Sequence, residues 1–356
     1  MRPLAERESL TRVEDILIDP DTPTGECPEE VEDRIKACAR DILRARRAGA
    51  GVILIYGAHL LRNGAAILLT RMMEQGWVTH LATNGAGTIH DWEYAWLGRS
   101  TESVRANVAT GTFGSWDETG RNIHLALLAG GLRDEGYGVA LGRFIHEDGT
   151  TIPTAETLEE EIRAAPSDPL TPARADYLVA IREHGLKAGR VMVEHRWKEA
   201  SILGQAFRLG VPVSVHPGVG YDIIANHPMF NGAAIGRGAA ADFRLMGGSV
   251  ETLDGGVVMS VGSAIMGPQV FEKSLSCANN LRLQEGRGIV AGHSIYVVDL
   301  QDGGGWDWVK GEPPKTNPAY YLRFCKSYAR MGGEMQYVQW DNASFIHHLY
   351  HELRRV

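Results

Sequence analysis

The stretch TNGAGTIHDWE, residues 83–93, places glycines directly after an apolar run of the kind that forms a buried strand. Gly85 and Gly87 let the backbone approach a ligand, and the N-terminus of the helix expected to follow presents amide donors and a positive dipole end. These features suit a phosphate or a pyrophosphate. The pattern is short of a full dinucleotide fingerprint, because His90 stands where a third glycine is expected, and a bare GxG also occurs in simple tight turns.

Acidic and imidazole side chains stand at or just beyond the predicted strand ends. Asp91 and Glu93 either accept hydrogen bonds from a ribose or cap the helix. His59, His90 and His216 each follow a different predicted strand and titrate near neutrality, so they are candidate catalytic residues or metal ligands. The sequence contains no HxH or DxHxD cluster and no GxSxG elbow. A metal-dependent hydrolase is therefore the weaker alternative, and an ordinary α/β-hydrolase is not supported.

Alternating strands and helices must position these residues. The predicted strands cover residues 51–57, 77–83, 137–142, 190–194, 211–216, 256–262 and 294–299. The predicted helices cover residues 29–47, 60–75, 117–133, 172–187, 197–209 and 268–284. Continuous apolar strands that alternate with amphipathic helices indicate a doubly wound α/β fold, with a mainly parallel sheet and helices on both faces. Ligands bind such a sheet beyond the carboxyl ends of its strands.

The rest of the chain favours one large domain. Residues 1–28 hold prolines and acids and are predicted to be an arm over the surface, and residues 29–356 a single α/β domain. A polar, acidic and proline-rich stretch at about residues 146–172 indicates a surface insertion within that domain.

Composition excludes several classes of protein. The 36 lysines and arginines against 44 aspartates and glutamates give a net charge of -8, without the basic face that nucleic-acid binders carry. No apolar run reaches the length of a membrane helix, and the first twenty residues are charged and lack a signal core. The four cysteines show no metal-like or CxxC spacing, which is typical of a reducing compartment. A cytoplasmic protein with a small-molecule substrate is expected.

Five segments at strand ends, in order over roughly residues 50–312, resemble deoxyhypusine synthases. TNGAGTIHDWE is similar to the family's glycine turn followed by acids and a helix. The other four segments are GVILIYGAHLLRNG, VPVSVHPGVGYDII, GGVVMSVGSAIMGPQVFEKSLSCANNL and SIYVVDLQDGG. The resemblance implies an NAD-binding α/β fold that self-associates, as a homotetramer or a dimer, and a chain that is a divergent member of the superfamily.

The resemblance also implies which residues bind NAD. Asn84, Gly85, Ala86 and Gly87 would cradle the cofactor, with Asp91 or Glu93 near the ribose. Contacts from other strand ends would come from Gly262, Ser263, Asp222 and Asp299.

The active site of the family uses a lysine in a Trp-Gly-Lys context, and Trp308-Val309-Lys310 preserves that spacing. Lys310 is either a nucleophile with a pKa lowered by burial beside indoles or an exposed lysine in a glycine-rich loop. Asp299, Asp302 and Asp307 would hold a cationic substrate, together with Trp308, or they are exposed loop residues. The family's paired histidines are absent, since Phe-Glu-Lys-Ser occupies residues 271–274.

The leading hypothesis is an NAD-dependent enzyme that acts on a small amine or amino-acid-like substrate through an imine, while true deoxyhypusine synthesis is disfavoured. The alternatives are the metal-dependent hydrolase and a non-catalytic NAD-binding or sensor protein.

Overall fold

The computed structural model describes residues 1–355, which form ten strands and fifteen α-helices. The strands are β1 (Thr11–Arg12), β2 (Val52–Tyr56), β3 (His80–Asn84), β4 (Arg99–Ser100), β5 (Gly149–Ile152), β6 (Gly189–Met192), β7 (Val213–His216), β8 (Val257–Val261), β9 (Ser294–Asp299) and β10 (Glu334–Gln339). The first eight helices are α1 (Val13–Ile16), α2 (Glu29–Arg47), α3 (Ala58–Arg62), α4 (Ala66–Glu74), α5 (Gly85–Leu97), α6 (Val104–Thr110), α7 (Asp117–Gly131) and α8 (Tyr137–His146). The others are α9 (Ala155–Ala164), α10 (Thr171–His184), α11 (Ile202–Leu209), α12 (Gly232–Val250), α13 (Met266–Gln284), α14 (Arg323–Lys326) and α15 (Asn342–Arg355).

Six short 3₁₀ helices lie in the connections. They are Leu4–Glu6, Lys198–Ala200, Ile223–Asn226, Trp308–Lys310, Pro318–Tyr321 and Tyr328–Arg330.

The described chain divides into two compact units that are interleaved in sequence. Unit 1 holds Met1–Ile16 and Thr88–Asp242, and unit 2 holds Leu17–Gly87 and the chain from Phe243 onward. The sequence predicted one domain from residue 29 and a separate arm before it. Each unit is instead assembled from two separated segments.

Unit 2 is built on a parallel sheet with the strand order β10-β9-β8-β2-β3. Successive side chains along each strand point to opposite faces of the sheet. On one face, Ile295 and Val297 belong to the core that also contains Phe271 of α13. On the other, the Tyr296 hydroxyl donates to Asp41 of α2, at 2.8 Å. The predicted α/β fold with a mainly parallel sheet and helices around it is confirmed.

The central strands explain why the sheet could be recognised in the sequence. Every residue of β2 and β8 is buried, and both strands are apolar almost throughout. A strand covered on both faces reads as a continuous hydrophobic run. From β2 the chain passes to β3 on one side of the sheet, whereas from β8 it passes to β9 on the other.

Unit 1 is mainly helical. Its central helix α7 is buried at twelve of fifteen positions and is surrounded by α8, α10 and the first 3₁₀ helix. Two antiparallel pairs, β1 with β4 and β5 with β6, lie in the same unit. Residues 1–16 are part of this unit, and Leu4 and Arg7 are buried within it. The expectation of an arm that lies over the surface is wrong for these residues.

One local prediction is wrong, and the structure adds detail to two others. Residues 137–142 were predicted as a strand but form the start of helix α8. The prediction failed because a short apolar helix that is buried on most sides has the same composition as a core strand. The strand at 190–194 exists as β6, but it is exposed and pairs with β5 outside the parallel sheet. The expected surface insertion around 146–172 contains β5 and α9, so it has secondary structure of its own. Within residues 1–355, no helix has the length and apolar run that a membrane crossing needs.

Candidate functional site

The carboxyl edge of the unit 2 sheet has a switch point between β2 and β8, where the chain leaves the two neighbouring strands in opposite directions. Gly57 follows β2 and Gly262 follows β8. A Cβ atom on Gly57 would lie only 2.0 Å from the carbonyl oxygen of Gly262, so the two loops meet backbone to backbone. Gly262 also has a φ of +62°, which favours glycine. The first loop position after each strand therefore carries no side chain, and a crevice at such a point is where open parallel sheets bind ligands.

A hydrogen bond to Ser263 ties the loop after β8 to the first turn of helix α13. The Ser263 hydroxyl accepts a hydrogen bond from the amide of Gly267, at 3.1 Å. A Cβ atom on Gly267 would lie 2.9 Å from the Tyr328 hydroxyl, so this glycine lets the helix pack closely. Gly262 and Ser263, both predicted to contact a dinucleotide, thus lie at the switch point.

The end of β3 passes straight into α5 with no glycine turn between them. The glycine turn that the resemblance implies in TNGAGTIHDWE is absent, because the helix begins at Gly85. The Asn84 side-chain oxygen accepts from the amide of Gly87, at 3.0 Å, and so caps the helix. A Cβ atom on Gly87 would lie 2.2 Å from the Thr83 Oγ1, so Gly87 permits close packing of helix on strand. Ala86 is half-buried in this first turn.

Asp91 is committed to another helix. It is fully buried in unit 1, where it accepts from the Ser201 hydroxyl and from the amides of Ile202, at 2.7 Å, and Leu203, at 3.3 Å. It therefore caps α11. Burial raises the pKa of Asp91 to about 7, against the opposite effect of these hydrogen bonds. The role near a ribose is overturned for this residue, since its oxygens already have partners inside the unit.

Glu93 is also turned into the interior of unit 1. Both of its oxygens accept from the Arg7 guanidinium, at 2.8 and 2.7 Å. Burial alone would raise the pKa of Glu93, but the positive charge of Arg7 reverses this and holds the pKa below its ordinary value. A carboxylate buried and paired in this way does not contact a ligand. The ribose role is therefore wrong for Glu93 as well.

The three predicted histidines have different surroundings. His59 is exposed in the first turn of α3, the helix that begins directly after Gly57. Its imidazole forms no hydrogen bond or ion pair with residues 1–355. In unit 1, His90 contacts the Ser100 hydroxyl at 2.7 Å, and His216 contacts the Ser214 hydroxyl at 3.0 Å. Burial lowers the pKa of His216 to about 4. His59 alone is placed by its own strand at the switch point.

Asp222 closes a small loop after β7 in unit 1. Its carboxylate accepts from the amide of Gly218, at 2.7 Å. Burial raises the pKa of Asp222 to about 6, and this hydrogen bond acts in the opposite direction. The carboxyl group thus stabilises its own loop, and its contact with a cofactor stays a prediction.

The acids of the 299–311 loop organise the loop itself. Asp299 accepts from the amide of Gln301, at 3.1 Å, and Asp302 from that of Gly304, at 2.8 Å. Asp307 accepts from the amide two residues later, at 3.3 Å. These are local turn contacts, in which Asp side chains commonly serve. The structure therefore favours the interpretation of these three aspartates as loop residues over their assignment to an acidic substrate pocket.

The Trp-x-Lys pair of this loop does not form a desolvated nucleophile site. Trp308 is buried in the unit 2 core, where its indole donates to the Gly303 carbonyl at 3.0 Å, so its predicted contact with substrate is wrong. The side chain of Lys310 is 71% exposed and lies 3.4 Å from the carboxylate of Asp307. A nucleophilic lysine needs burial or a neighbouring cation to lower its pKa. The structure matches the exposed-lysine interpretation.

Metal-ligating side chains do not gather in the described chain. Among residues 1–355, no group of three or more His, Cys, Asp or Glu side chains is placed to hold a metal ion. His347 and His351, one turn apart on α15, pack edge to face with ring centroids 5.0 Å apart, but no third ligand joins them in the described chain. The metal-dependent hydrolase therefore has no cluster to support it.

Comparison with known proteins returns solved structures only. Neither a protein-family model nor a curated protein matches the sequence. Unliganded AgrE is 14% identical, with a TM-score of 0.46 over 94% of this chain and 34% of that one. The ternary complex of AgrE with ornithine and NAD⁺ is 13% identical, with a TM-score of 0.44 and the same coverage. A putative LOR/SDH protein from Methanococcus maripaludis S2 is 16% identical, with a TM-score of 0.42 over 95% of this chain and 74% of that one.

This chain spans about a third of the length of the AgrE chains that it matches. The likenesses all have TM-scores below 0.5, so the fold and the site are argued from the chain's own geometry.

Sequence reasoning missed a group of cations beside the switch point. Lys273 of α13 and three residues of the 323–330 segment line one cavity with Ile265. The signal was present, because Arg323, Lys326 and Arg330 recur at intervals of three and four, which places them on one side of a helical segment.

Proposed function

We propose that this chain is an NAD-dependent enzyme, of the deoxyhypusine synthase-like superfamily, that acts on a small amine or amino-acid-like substrate. The observation that carries the proposal is the switch point between β2 and β8, where Gly57 and Gly262 leave the sheet edge without side chains. Dinucleotides bind open parallel sheets at this place. The five segments that resemble the superfamily include the loops after both strands. Self-association stays a prediction of that resemblance.

The residues at this edge fit the polar parts of a dinucleotide. Asn84 uses its side-chain oxygen to cap α5, which leaves its amide hydrogens for an acceptor on the ligand. Ser263 accepts from a backbone amide, so its own hydroxyl hydrogen is available to a phosphate or a ribose. The first turn of α5, with Ala86, offers the positive end of a helix dipole. We assign these three residues to the cofactor, and we no longer assign Asp91 or Glu93.

The proposed chemistry is oxidation of a carbon that bears nitrogen. When bound, NAD supplies the acceptor for the hydride that leaves this carbon. The amine nitrogen must also lose a proton as the imine forms, and the chain has to provide the acceptor. His59 is exposed in the turn that follows Gly57 and has no partner among residues 1–355, so we assign it as the general base.

Calorimetric titration with NAD tests the site with a pair of variants at Ala86. Ala86→Glu puts a negative charge in the first turn of α5, where it favours the helix but repels a phosphate. We expect this variant to bind NAD at least about tenfold more weakly, a loss of about 1.4 kcal/mol, with Ala86→Gln close to wild type. The absence of NAD binding by the wild-type protein would overturn the proposal. Equal affinities for the three proteins would move the cofactor away from α5.

Turnover tests the enzymatic part. NADH formation is followed by absorbance on a panel of small amines and amino acids. We expect His59→Ala to lower turnover about a hundredfold or more, as loss of a general base does, with NAD affinity unchanged. NAD binding without turnover on the whole panel would favour the non-catalytic sensor. Stoichiometric Zn²⁺ or Mn²⁺ in protein purified without chelator, with no NAD affinity, would favour the metal-dependent hydrolase.

A further inference from the structure

A cavity of about 580 Å³ opens beside the first turns of α13, next to the loop that leaves the switch point. It is bounded by Ala264 and Ile265, by the start of α13, and by the segment from residue 323 to residue 330. The volume lies in the range of small-molecule sites. Four of its lining side chains are cationic, namely Lys273, Arg323, Lys326 and Arg330. This basic pocket is unusual in a chain whose net charge is -8.

Two of the four cations are neutralised within the protein. Lys273 forms an ion pair with Glu272, which also lines the pocket. Arg330 forms an ion pair with Glu312. The other two cations, Arg323 and Lys326, form no ion pair with residues 1–355, so the four cations exceed the two carboxylates by two.

The two remaining cations differ in how they are held. Arg323 is exposed and forms no ion pair with residues 1–355. The Lys326 ammonium lies 3.7 Å from the centre of the Tyr320 ring, a contact that orients the charge. Lys326 forms no ion pair with residues 1–355, although its charge helps to lower the pKa of Glu312. A flexible guanidinium and an oriented ammonium thus lie on one short helix, α14, at an interval of three residues.

The backbone of α13 adds a favourable field but few donors. The amide of Gly267 is already bound to Ser263, and Pro268 has no amide hydrogen. The first turn of α13 lines the pocket, so the positive end of the dipole of this 19-residue helix lies there. An anion in the pocket would therefore be held mainly by side chains, and its affinity should depend on Arg323 and Lys326.

We propose that the basic pocket binds the phosphate group of a small phosphorylated molecule. A phosphate ester carries a charge of about -1.5 to -2 at neutral pH, which matches the excess of two cations at the pocket. Arginine can donate two parallel hydrogen bonds to phosphate oxygens, and lysine supplies a point charge. The phosphate belongs either to the dinucleotide of the neighbouring switch point or to a separate substrate. The assignment holds whether or not the switch point binds NAD.

Titration calorimetry with inorganic phosphate, at constant ionic strength balanced with sodium chloride, tests the pocket directly. We expect wild-type protein to bind phosphate, and Arg323→Gln to weaken binding about tenfold, a loss of about 1.4 kcal/mol. Arg323→Gln with Lys326→Gln should abolish it. Arg244→Gln is the matched control, because Arg244 is exposed in the same unit, forms no ion pair in the described chain and lies outside the pocket. Circular dichroism confirms that each variant is folded.

Repeating the titration with saturating NAD identifies the source of the phosphate. Loss of phosphate binding under NAD would show that the pocket receives a phosphate of the cofactor. Persistent binding, or phosphate binding by a protein that does not bind NAD, would support a separate phosphorylated molecule. No phosphate binding by wild type, or equal affinity for wild type and Arg323→Gln, would overturn the assignment. The failure of the proposed function is therefore distinguishable from the failure of the pocket.

Discussion

The guanidinium of Arg7 donates to both carboxylate oxygens of Glu93, and the two side chains are buried together in unit 1. The hydroxyls of Ser100 and Thr119 also donate to this carboxylate. One buried acid thus receives four hydrogen bonds from three residues that lie in different parts of the sequence. The first residues of the chain are held in the core of unit 1 through this network.

Removing the arginine should destabilise the protein strongly. Arg7→Ala leaves the Glu93 carboxylate buried without its counter-charge, which typically costs about 3–5 kcal/mol. Urea unfolding at neutral pH measures the loss. Arg163→Ala is the control, because Arg163 pairs with Glu159 on the surface of α9 and such pairs contribute about 0–1 kcal/mol. Arg7→Met combined with Glu93→Met should recover most of the loss. A cost for Arg7→Ala no larger than that of the control would contradict the prediction.

Asp91 should make stability fall as pH rises. Its folded pKa of about 7 lies above its ordinary value of 3.8, so the folded protein holds this proton more tightly than the unfolded chain. The resulting stabilisation is complete below about pH 4 and is lost as the pH rises through about 7, with a slope of up to about 1.4 kcal/mol per pH unit. Asp91→Asn should remove this component from unfolding free energies measured between pH 4 and 8.

The control for this pH series is Asp33→Asn, since Asp33 is exposed on α2. It should keep the wild-type slope. Burial also raises the pKa of Asp242 to about 7, so Asp91→Asn should reduce the slope without abolishing it. An unchanged slope in Asp91→Asn would show that folding does not raise the pKa of this carboxyl group.

The contact between the two switch-point loops should not tolerate a methyl group. Gly57→Ala would place its Cβ against the carbonyl of Gly262, which belongs to the backbone and cannot rotate away. We expect a loss of about 1–3 kcal/mol in urea unfolding, together with weaker NAD binding. Gly248→Ala is the opposite case, because Gly248 lies within α12 with open space around it and should gain up to about 1 kcal/mol. Equal stabilities for both variants would argue against the close approach.

Lys310 should be dispensable. Its side chain is exposed, and a surface substitution away from the core usually changes stability by no more than about 0.5 kcal/mol. Lys310→Ala should therefore keep the stability, NAD affinity and turnover of the wild type. Borohydride reduction during turnover, followed by peptide mass spectrometry, provides the direct measurement. A reduced substrate adduct on Lys310 would restore it as the nucleophile.

The sheet could be predicted from the sequence, whereas several of its connections could not. Strand β2 is apolar, short and bounded by glycines, so its pattern is unambiguous. Helix α8 has similar letters and is buried at seven of its ten positions, which removes the polar face that identifies an amphipathic helix. Strand β10 was missed because Glu334, Gln336 and Gln339 interrupt its apolar residues at the end of the strand order.

The candidate site, like the fold, could be predicted from the sequence only in part. Glycines after β3 and β8 mark the sheet edge in the sequence, but their reasons differ in the structure. Gly87 is required by packing against Thr83, whereas Gly262 is required by a positive φ and a neighbouring loop. The buried partners of Asp91 lie more than a hundred positions away, and no local pattern reveals them. Nothing in the sequence distinguishes such side chains from ones that bind a ligand, but in the fold their hydrogen bonds are made inside the protein.

The pairing of β2 with β8 has a consequence for biosynthesis. Val52 lies opposite Val257, so the two central strands are separated by about two hundred residues. During translation at about 5–20 residues per second, β2 emerges as an apolar segment at least about ten seconds before its partner β8. Contacts of such high sequence separation fold slowly. The nascent chain should therefore depend on chaperones until β8 has left the ribosome.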